Sequence, residues 1–330
     1  MSKNEYFNKK RKKDLNKEEK EKKNEKENKN EKSKESIKEN IIIANIKVGN
    51  NNLKERIINY YENFKNENKD FYEDEYEDED EGIENEKEIK ECEIFIDDIK
   101  INFTYYYNFP KEGNYTIKYI FKNLLKSTNY IFFNCNSLIS IDLSNFNTQN
   151  INDMGYMFCG CYSLISLDLT NFNTQNVTNM GGMFDGCNSL ISLDLSSFNT
   201  LNVHYMDEMF NDCNSLLSLD LSNFNTQNVI TMVGMFNNCN SLISLDLSSF
   251  NTLNVHYMDD MFNDCNSLLS LDLSNFNTQN VITMVGMFNN CNSLISLDLS
   301  NFNNKNLYNI DGIFYGCNSL IYKHFKKHIL

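Results

Sequence analysis

From Ser127 to Asn304 the sequence contains no Lys or Arg. Residues 135–317 carry a single Lys against 16 Asp and Glu residues. Because proteins bind phosphate backbones mainly through Lys and Arg, which release counterions, this region is not predicted to bind nucleic acid. Its surplus of carboxylates instead favours a basic protein partner or cations.

Long apolar runs are also missing. No apolar stretch reaches the roughly 18 residues that a spanning helix needs, so no membrane span is predicted. The N-terminal segment has a basic run at Lys9–Lys13 with no apolar run after it, which argues against a secretory signal. We therefore expect a cytoplasmic protein. Nuclear import through Lys9–Lys13 and cell-surface display without a visible export signal are the alternatives.

Catalytic and metal-binding motifs are absent from the sequence as well. It contains no G-x-x-x-x-G-K-[ST] phosphate loop, no H-E-x-x-H and no C-x-x-C pair. His204 and His256 lie two repeat units apart, and His324 and His328 stand four residues apart without carboxylate support. We interpret His204 and His256 as solvated side chains and expect no metal site at His324 and His328. The sequence predicts no enzymatic activity, no catalytic residue, no cofactor and no metal site.

What the sequence does contain is a fixed period. Eight cysteines stand 26 residues apart, namely Cys135, Cys161, Cys187, Cys213, Cys239, Cys265, Cys291 and Cys317. Such a period is the signature of a solenoid, in which one supersecondary unit stacks on its copy. Residues 187–238 and 239–290 are identical except for Glu208 against Asp260. No chemically unique site is therefore expected inside this duplication.

The repeated unit has a recognisable consensus, L-x-x-L-x-L-S-x-F-N-T-x-N-V-x-x-M-x-x-M-F-x-x-C, as in residues 190–213. Its opening L-x-x-L-x-L is the strand segment of leucine-rich repeats. The unit as a whole resembles the BspA-like leucine-rich-repeat family of bacterial and protist surface proteins, over roughly residues 127–320. The resemblance implies a curved solenoid with a role in adhesion or protein binding.

Residue patterning predicts how each unit folds. Alternation places Leu167 and Leu169 inward and Ser166, Asp168 and Thr170 on the opposite, open face. The apolar residues of V-T-N-M-G-G-M-F, residues 177–184, follow at i, i+3, i+6 and i+7, which is helical periodicity. We therefore predict a mixed α/β solenoid, a leucine-rich-repeat-like array of strand, turn and short helix.

Composition divides the chain into four predicted segments. Residues 1–40, rich in Lys, Glu and Asn, should be a disordered arm, since they cannot bury enough apolar surface to fold. Residues 41–126 should form a small all-β domain that caps the array at its N-terminal end, with an acidic loop at 73–81. Residues 127–320 should form the solenoid, and residues 321–330 a basic C-terminal tail.

The open face supplies the candidate binding residues. One Asp per unit should form a column there, consisting of Asp142, Asp168, Asp194, Asp220, Asp246, Asp272 and Asp298. Like charges about 5 Å apart repel, so we expect raised pKa values for these aspartates. The repulsion between neighbouring carboxylates should also need relief from other groups. Serine hydroxyls and water, bound cations or a basic partner could each supply that relief.

The eight cysteines of the period are predicted to form a buried column of reduced thiols acting as small apolar side chains. In-register side chains have parallel Cβ directions, which disfavours a disulfide between neighbouring units. Cys159 falls on a variable position of its unit, so it is predicted to be exposed and incidental.

Repetition and charge together point to one class of function. A chain that repeats itself offers a broad surface carrying the same groups in rows, whereas catalysis needs an asymmetric constellation of unlike groups. We predict a protein–protein interaction or adhesion scaffold that presents the acidic Asp and Ser face to a basic partner. The alternative is a structural repeat protein that associates with itself and has no specific ligand.

Overall fold

The computed structural model describes residues 40–60, 63–65, 86–299, 301–303 and 305–325. For residues 322–325 only the backbone is described. The predicted disordered arm, apart from Asn40, the basic patch at Lys9–Lys13, the acidic loop at 73–81 and His328 lie outside these residues.

The part of the chain before the repeats folds around one antiparallel sheet. Its elements are β1 (Asn40–Val48), β2 (Lys54–Arg56), α1 (Glu86–Lys90), β3 (Glu93–Ile96), β4 (Ile99–Ile101), β5 (Tyr106–Asn108) and β6 (Gly113–Phe121). The long strands β1 and β6 pair from Asn40 with Phe121 to Val48 with Gly113. Both are rich in β-branched and aromatic residues that alternate between buried and more exposed positions, as expected for half-buried strands.

The same sheet continues into the repeats. It has the order β4-β3-β6-β1-β7-β8, in which β7 (Leu138–Asp142) and β8 (Ser166–Leu167) come from the first two repeat units. Strand β1 runs antiparallel to β7, with a bulge at Asn45 and Ile46, whereas β7 and β8 are parallel. Strand β1 therefore covers the edge of the first unit, and Asn40–Leu330 group as one compact unit.

The array itself is a stack of rungs, each one 26-residue unit. Parallel bridges join equivalent residues of successive rungs, at Ser127, Asp153, Asn179, Tyr205, Thr231, Tyr257, Thr283 and Asn309. At the far end β9 (Ser270–Asp272), β10 (Ser296–Leu299) and β11 (Tyr322–Phe325) form a parallel sheet in the order β11-β10-β9. Backbone hydrogen bonding between rungs therefore runs along the whole described array.

The prediction of a short helix in each unit is wrong, and with it the mixed α/β class. The described repeats contain no helix, and residues 177–190 form successive tight turns. Met183 N donates to Met180 O within the rung, whereas Gly182 N and Phe184 N donate to the next rung. The three-residue apolar spacing arises because each turn brings every third side chain back to the interior.

Left-handed residues explain why the turns do not propagate as a helix. Gly182 and Gly186 have φ of 57° and 68°, and Glu208 and Asp212 in the next rung have 54° and 53°. Two such residues in each set of turns interrupt right-handed helical geometry, because an L-residue helix needs negative φ throughout. The array is therefore a solenoid of strands and turns, nearly all sheet in character.

The orientation predicted for the strand segment is confirmed. Leu167 and Leu169 are buried, whereas Ser166, Asp168 and Thr170 are exposed. The same alternation repeats along the array, which lines the interior with Leu, Val, Met and Phe columns. One column of phenylalanines stacks with ring centroids 5.6 to 6.2 Å apart, at Phe132, Phe158, Phe184, Phe210, Phe236, Phe262, Phe288 and Phe314.

A buried threonine in each rung joins it to the next. Thr226 is fully buried, its Oγ1 donates to Asn251 O at 3.0 Å, and Asn251 N donates back to the same oxygen at 2.8 Å. The side chain of Asn251 then accepts from Leu253 N at 3.1 Å, so it satisfies a backbone group of the turn. A hydroxyl suits this position because one oxygen must both donate and accept.

Candidate functional site

The structure places the predicted aspartates side by side in one column. The parallel pairing of β9 with β10 sets Asp272 directly opposite Asp298. Asp298 is half-buried, and the other six predicted members from Asp142 to Asp272 are exposed. The residues chosen from the sequence are therefore brought together on one face, hereafter the Asp column.

The aspartates of this column from Asp142 to Asp272 are each held by the local backbone. Asp220 Oδ1 accepts from Ser222 N at 3.0 Å, and the same bond to the residue two positions on occurs at Asp142, Asp168, Asp194, Asp246 and Asp272, at 2.9 to 3.0 Å. A carboxylate that accepts such a bond forms an Asx turn. This turn uses the N–H that would otherwise extend the strand ladder, which accounts for the shortness of the strands.

The expectation of raised pKa values in the Asp column is wrong. Hydrogen bonds from the backbone and hydroxyl of Ser222 lower the pKa of Asp220, and those of Ser248 do the same for Asp246. The hydroxyl and backbone of Thr170 likewise lower the pKa of Asp168. Repulsion between neighbouring exposed carboxylates is weak in water, so the local hydrogen bonds prevail. Asp168, Asp220 and Asp246 are therefore hydrogen-bonded carboxylates whose pKa values lie below the usual range.

This geometry reverses the expected dependence of stability on pH. Since the folded-state pKa lies below the unfolded value, these carboxylates stabilise the fold above about pH 4 and lose that contribution as pH falls through the folded pKa. A variant carrying Asp220→Ala and Asp246→Ala should melt lower than the native protein at pH 7. Thermal unfolding followed across pH should find the difference shrinking in acid. A difference that grows in acid would contradict the prediction.

A second column on the open face was missed by the sequence analysis. Seven equivalent Ile or Leu side chains lie exposed, and all but the last stand three residues before an aspartate of the Asp column, namely Ile165, Ile191, Leu217, Ile243, Leu269, Ile295 and Ile321. The first six are 46% to 52% exposed. The signal was present in the sequence, since the residue that follows each C-x-S-L is always Ile or Leu. We call this row the Ile/Leu column.

The predicted burial of the cysteine column is confirmed for Cys135 through Cys291, whereas Cys317 is half-buried. The thiols from Cys161 to Cys317 each donate to a carbonyl of a neighbouring rung, as Cys239 Sγ does to Phe210 O at 3.2 Å. Burial raises the pKa of Cys135 and of Cys265 to about 12, so both are protonated at neutral pH. The column is a packing feature of the core.

Two predictions on individual side chains have different outcomes. The exposure predicted for Cys159 is wrong: this residue is buried, and its thiol lies 3.2 Å from Asp185 Oδ2. His204 and His256, which were predicted to be solvated, are half-buried. Within the described residues no group of three or more His, Cys, Asp or Glu side chains is arranged to hold a metal ion.

The comparison with protein families gives one result. The family described as "Mycoplasma protein of unknown function, DUF285" matches residues 126–245 and 215–327, more than half of the chain. The chain belongs to this family. The DUF285 region coincides with the stacked rungs and includes every member of the Ile/Leu column and every predicted aspartate of the Asp column. Strands β1 to β6 lie outside it.

The other comparisons add no relative of known function to the DUF285 assignment. No curated protein and no solved structure matches the chain. In the described part of the chain no helix has the length and apolar character needed to cross a membrane.

Proposed function

We propose that the repeat array is a protein-binding scaffold whose open face accepts a basic, amphipathic segment of a partner protein. The observation that carries the proposal is the Ile/Leu column running beside the ionised Asp column. Exposed apolar patches framed by polar residues are typical of interaction surfaces. The resemblance of the repeats to BspA-like proteins supports the same proposal, because that family implies adhesion or protein binding.

Charge determines which partner suits this face. The array has no Lys or Arg from Ser127 to Asn304, so its carboxylates are not neutralised by basic residues of the same region. Lys or Arg side chains of a partner would meet the Asp column while apolar side chains cover the Ile/Leu column. Charge complementarity of this kind speeds association and sets orientation, and buried apolar area supplies affinity.

A defined peptide tests the proposal on the full chain. A fluorescent peptide of alternating Lys and Leu should bind, and one of alternating Glu and Leu should not. The variant with Leu217→Ser, Ile243→Ser and Leu269→Ser should bind roughly tenfold more weakly at low and high salt. The variant with Asp220→Asn, Asp246→Asn and Asp272→Asn should bind more weakly at low salt only, because salt screens exposed charges.

Both triple variants keep the fold, since the replaced side chains are exposed and Asn still accepts the turn hydrogen bond. Fluorescence anisotropy gives the affinities, and circular dichroism checks the fold. Undiminished binding to both variants would show that the peptide does not use the open face and would sink the proposal.

One structural observation favours a second candidate function, self-association. In the described part of the chain β11 lies at the edge of its sheet, whereas the first rung is covered by β1. Edge strands are templates for pairing with another chain. Sedimentation velocity over a range of protein concentrations tests for self-association. A protein that remains monomeric at every concentration would exclude this function.

A further inference from the structure

A cavity of about 440 Å³ lies where the N-terminal part of the chain meets the first rungs. Its volume falls in the range of roughly 300–1,000 Å³ that is usual for small-molecule sites. None of its lining residues belongs to the Asp column or the Ile/Leu column. The cavity is therefore a feature separate from the open face.

Aromatic side chains form one wall of this cavity. The rings of Phe64 and Tyr130 stack at 4.3 Å, and those of Tyr130 and Tyr156 at 4.9 Å. Phe133 packs against both Phe64 and Tyr130, at 4.8 and 5.2 Å. Tyr162, 46% exposed, also lines the cavity. Phe64, Tyr130, Phe133 and Tyr156 thus form one group of packed rings, drawn from separate parts of the chain.

Two glycines of the third rung make room for the tyrosines. A Cβ atom at Gly182 would lie 2.2 Å from the ring of Tyr156, and one at Gly186 would lie 3.1 Å from the ring of Tyr162. Both glycines are also left-handed, with φ of 57° and 68°. Any larger residue at 182 would displace the Tyr156 ring, so the aromatic wall depends on glycine at this position.

Carboxylates form the other wall. Asp185 accepts from Asn211 Nδ2 at 2.8 Å and from the Cys159 thiol at 3.2 Å, and the Tyr156 hydroxyl lies 3.5 Å from Glu208 Oε2. Burial raises the pKa of Asp185 and of Glu208. A third carboxylate, Asp212, lines the same cavity, and none of the described lining residues is Lys, Arg or His. The negative charge of this wall is thus not balanced by a basic lining residue.

The sequence marks the same place as unusual. Glu208 is the residue that distinguishes the first copy of the 52-residue duplication from the second, which has Asp260. Tyr156 has Gly182, Gly234 and Gly286 at its place in other rungs, and Asp185 has Asn at its place in the four rungs that follow, Asn211, Asn237, Asn263 and Asn289. The cavity therefore combines residues that the regular repeat does not supply.

We propose that this cavity binds an organic ammonium ion, an amine with an aliphatic chain. The chain would pack against the aromatic wall while the ammonium group donates hydrogen bonds to Asp185 and Glu208. Aromatic rings and carboxylates together are the groups that favour organic cations over neutral molecules. A metal ion fits less well, because the carboxylates are not arranged as a metal-binding group within the described residues.

Isothermal titration of the full chain with 1,5-diaminopentane tests the proposal. The neutral control is pentane-1,5-diol, which has the same chain length, and Nα-acetyl-lysine amide probes whether the amine can be a lysine side chain. The diamine should bind at one saturable site and the diol should not. Binding of the lysine derivative would point to a protein-borne amine, and its failure beside a binding diamine would point to a free one.

Variants assign the binding to this cavity. Asp185→Asn together with Glu208→Gln should weaken diamine binding by roughly tenfold or more, because two charge-assisted hydrogen bonds are lost. Asp185→Asn installs the residue that neighbouring rungs carry, so the fold is retained. The control with Asp220→Asn and Asp246→Asn removes the same charge from the open face and should leave binding unchanged, as should Asp260→Asn in the second copy.

Three results would overturn the proposal. The first is equal binding of diamine and diol, since charge would then play no part. The second is an equal loss in the cavity variant and in the open-face control, which would mean general attraction to an acidic surface. The third is the absence of saturable diamine binding to the native protein.

Discussion

Replacing Phe236 with Ala should lower the free energy of unfolding by about 3–5 kcal/mol, the usual cost of removing a buried phenylalanine. Phe236 is fully buried, and its ring stacks on those of Phe210 and Phe262, each at 5.6 Å. The cavity left behind would lie between two rungs that cannot close on it, because the hydrogen bonds between rungs fix their spacing. Denaturant unfolding followed by circular dichroism measures the loss.

The matched control for Phe236→Ala is Ser218→Ala, on the exposed side of a strand segment. It should cost less than about 0.5 kcal/mol, as expected for a surface substitution away from special contacts. A small effect of Phe236→Ala, similar to that of the control, would mean that the phenylalanine column is not the packed core described above.

Replacing Thr226 with Val should be the second largest loss. Valine has nearly the same shape but removes the hydroxyl that donates to Asn251 O and accepts from Asn251 N. Leaving a buried polar group without a partner costs about 1–3 kcal/mol, and two such groups are affected. Denaturant unfolding followed by circular dichroism measures this loss as well. The denaturant midpoint and the melting temperature should both fall.

Thr226→Ser distinguishes the contribution of the hydrogen bonds to stability from that of side-chain packing. Serine keeps the hydroxyl and removes only a methyl group, so it should cost about 1 kcal/mol, close to the value of one buried CH₂ or methyl. If Thr226→Val and Thr226→Ser destabilise the protein equally, the two hydrogen bonds contribute nothing and the contact between rungs rests on apolar packing alone.

The rung length, the inward leucines and the cysteine column were all predictable from the sequence. A 26-residue period repeated along the array leaves little choice of register, because a shift by one residue would move Leu167 and Leu169 to the solvent. The Asp column was predictable for the same reason. Its pKa values were not, because they depend on the Asx turn at Ser222 and its equivalents, whose backbone hydrogen bonds outweigh the repulsion between like charges.

The helix was predicted wrongly because an apolar period near three is shared by two structures. In an α-helix and in a chain of tight turns alike, side chains three or four residues apart point to the same side. Left-handed residues such as Gly182, Gly186, Glu208 and Asp212 decide between them. Two of these four are not glycine, so their left-handed conformation was hard to predict from residue type.

The sequence by itself determined the repeat, which residues of each strand segment face inward, and the acidic character of the open face. These follow from period and alternation, which are local properties. Only the tertiary structure decided that turns replace helices, that strand β1 covers the first rung, and that Phe64 meets Tyr130 and Tyr156 beside Asp185 and Glu208. The physical reason is that each of these depends on contacts between residues far apart in the chain, and a periodic pattern does not encode them.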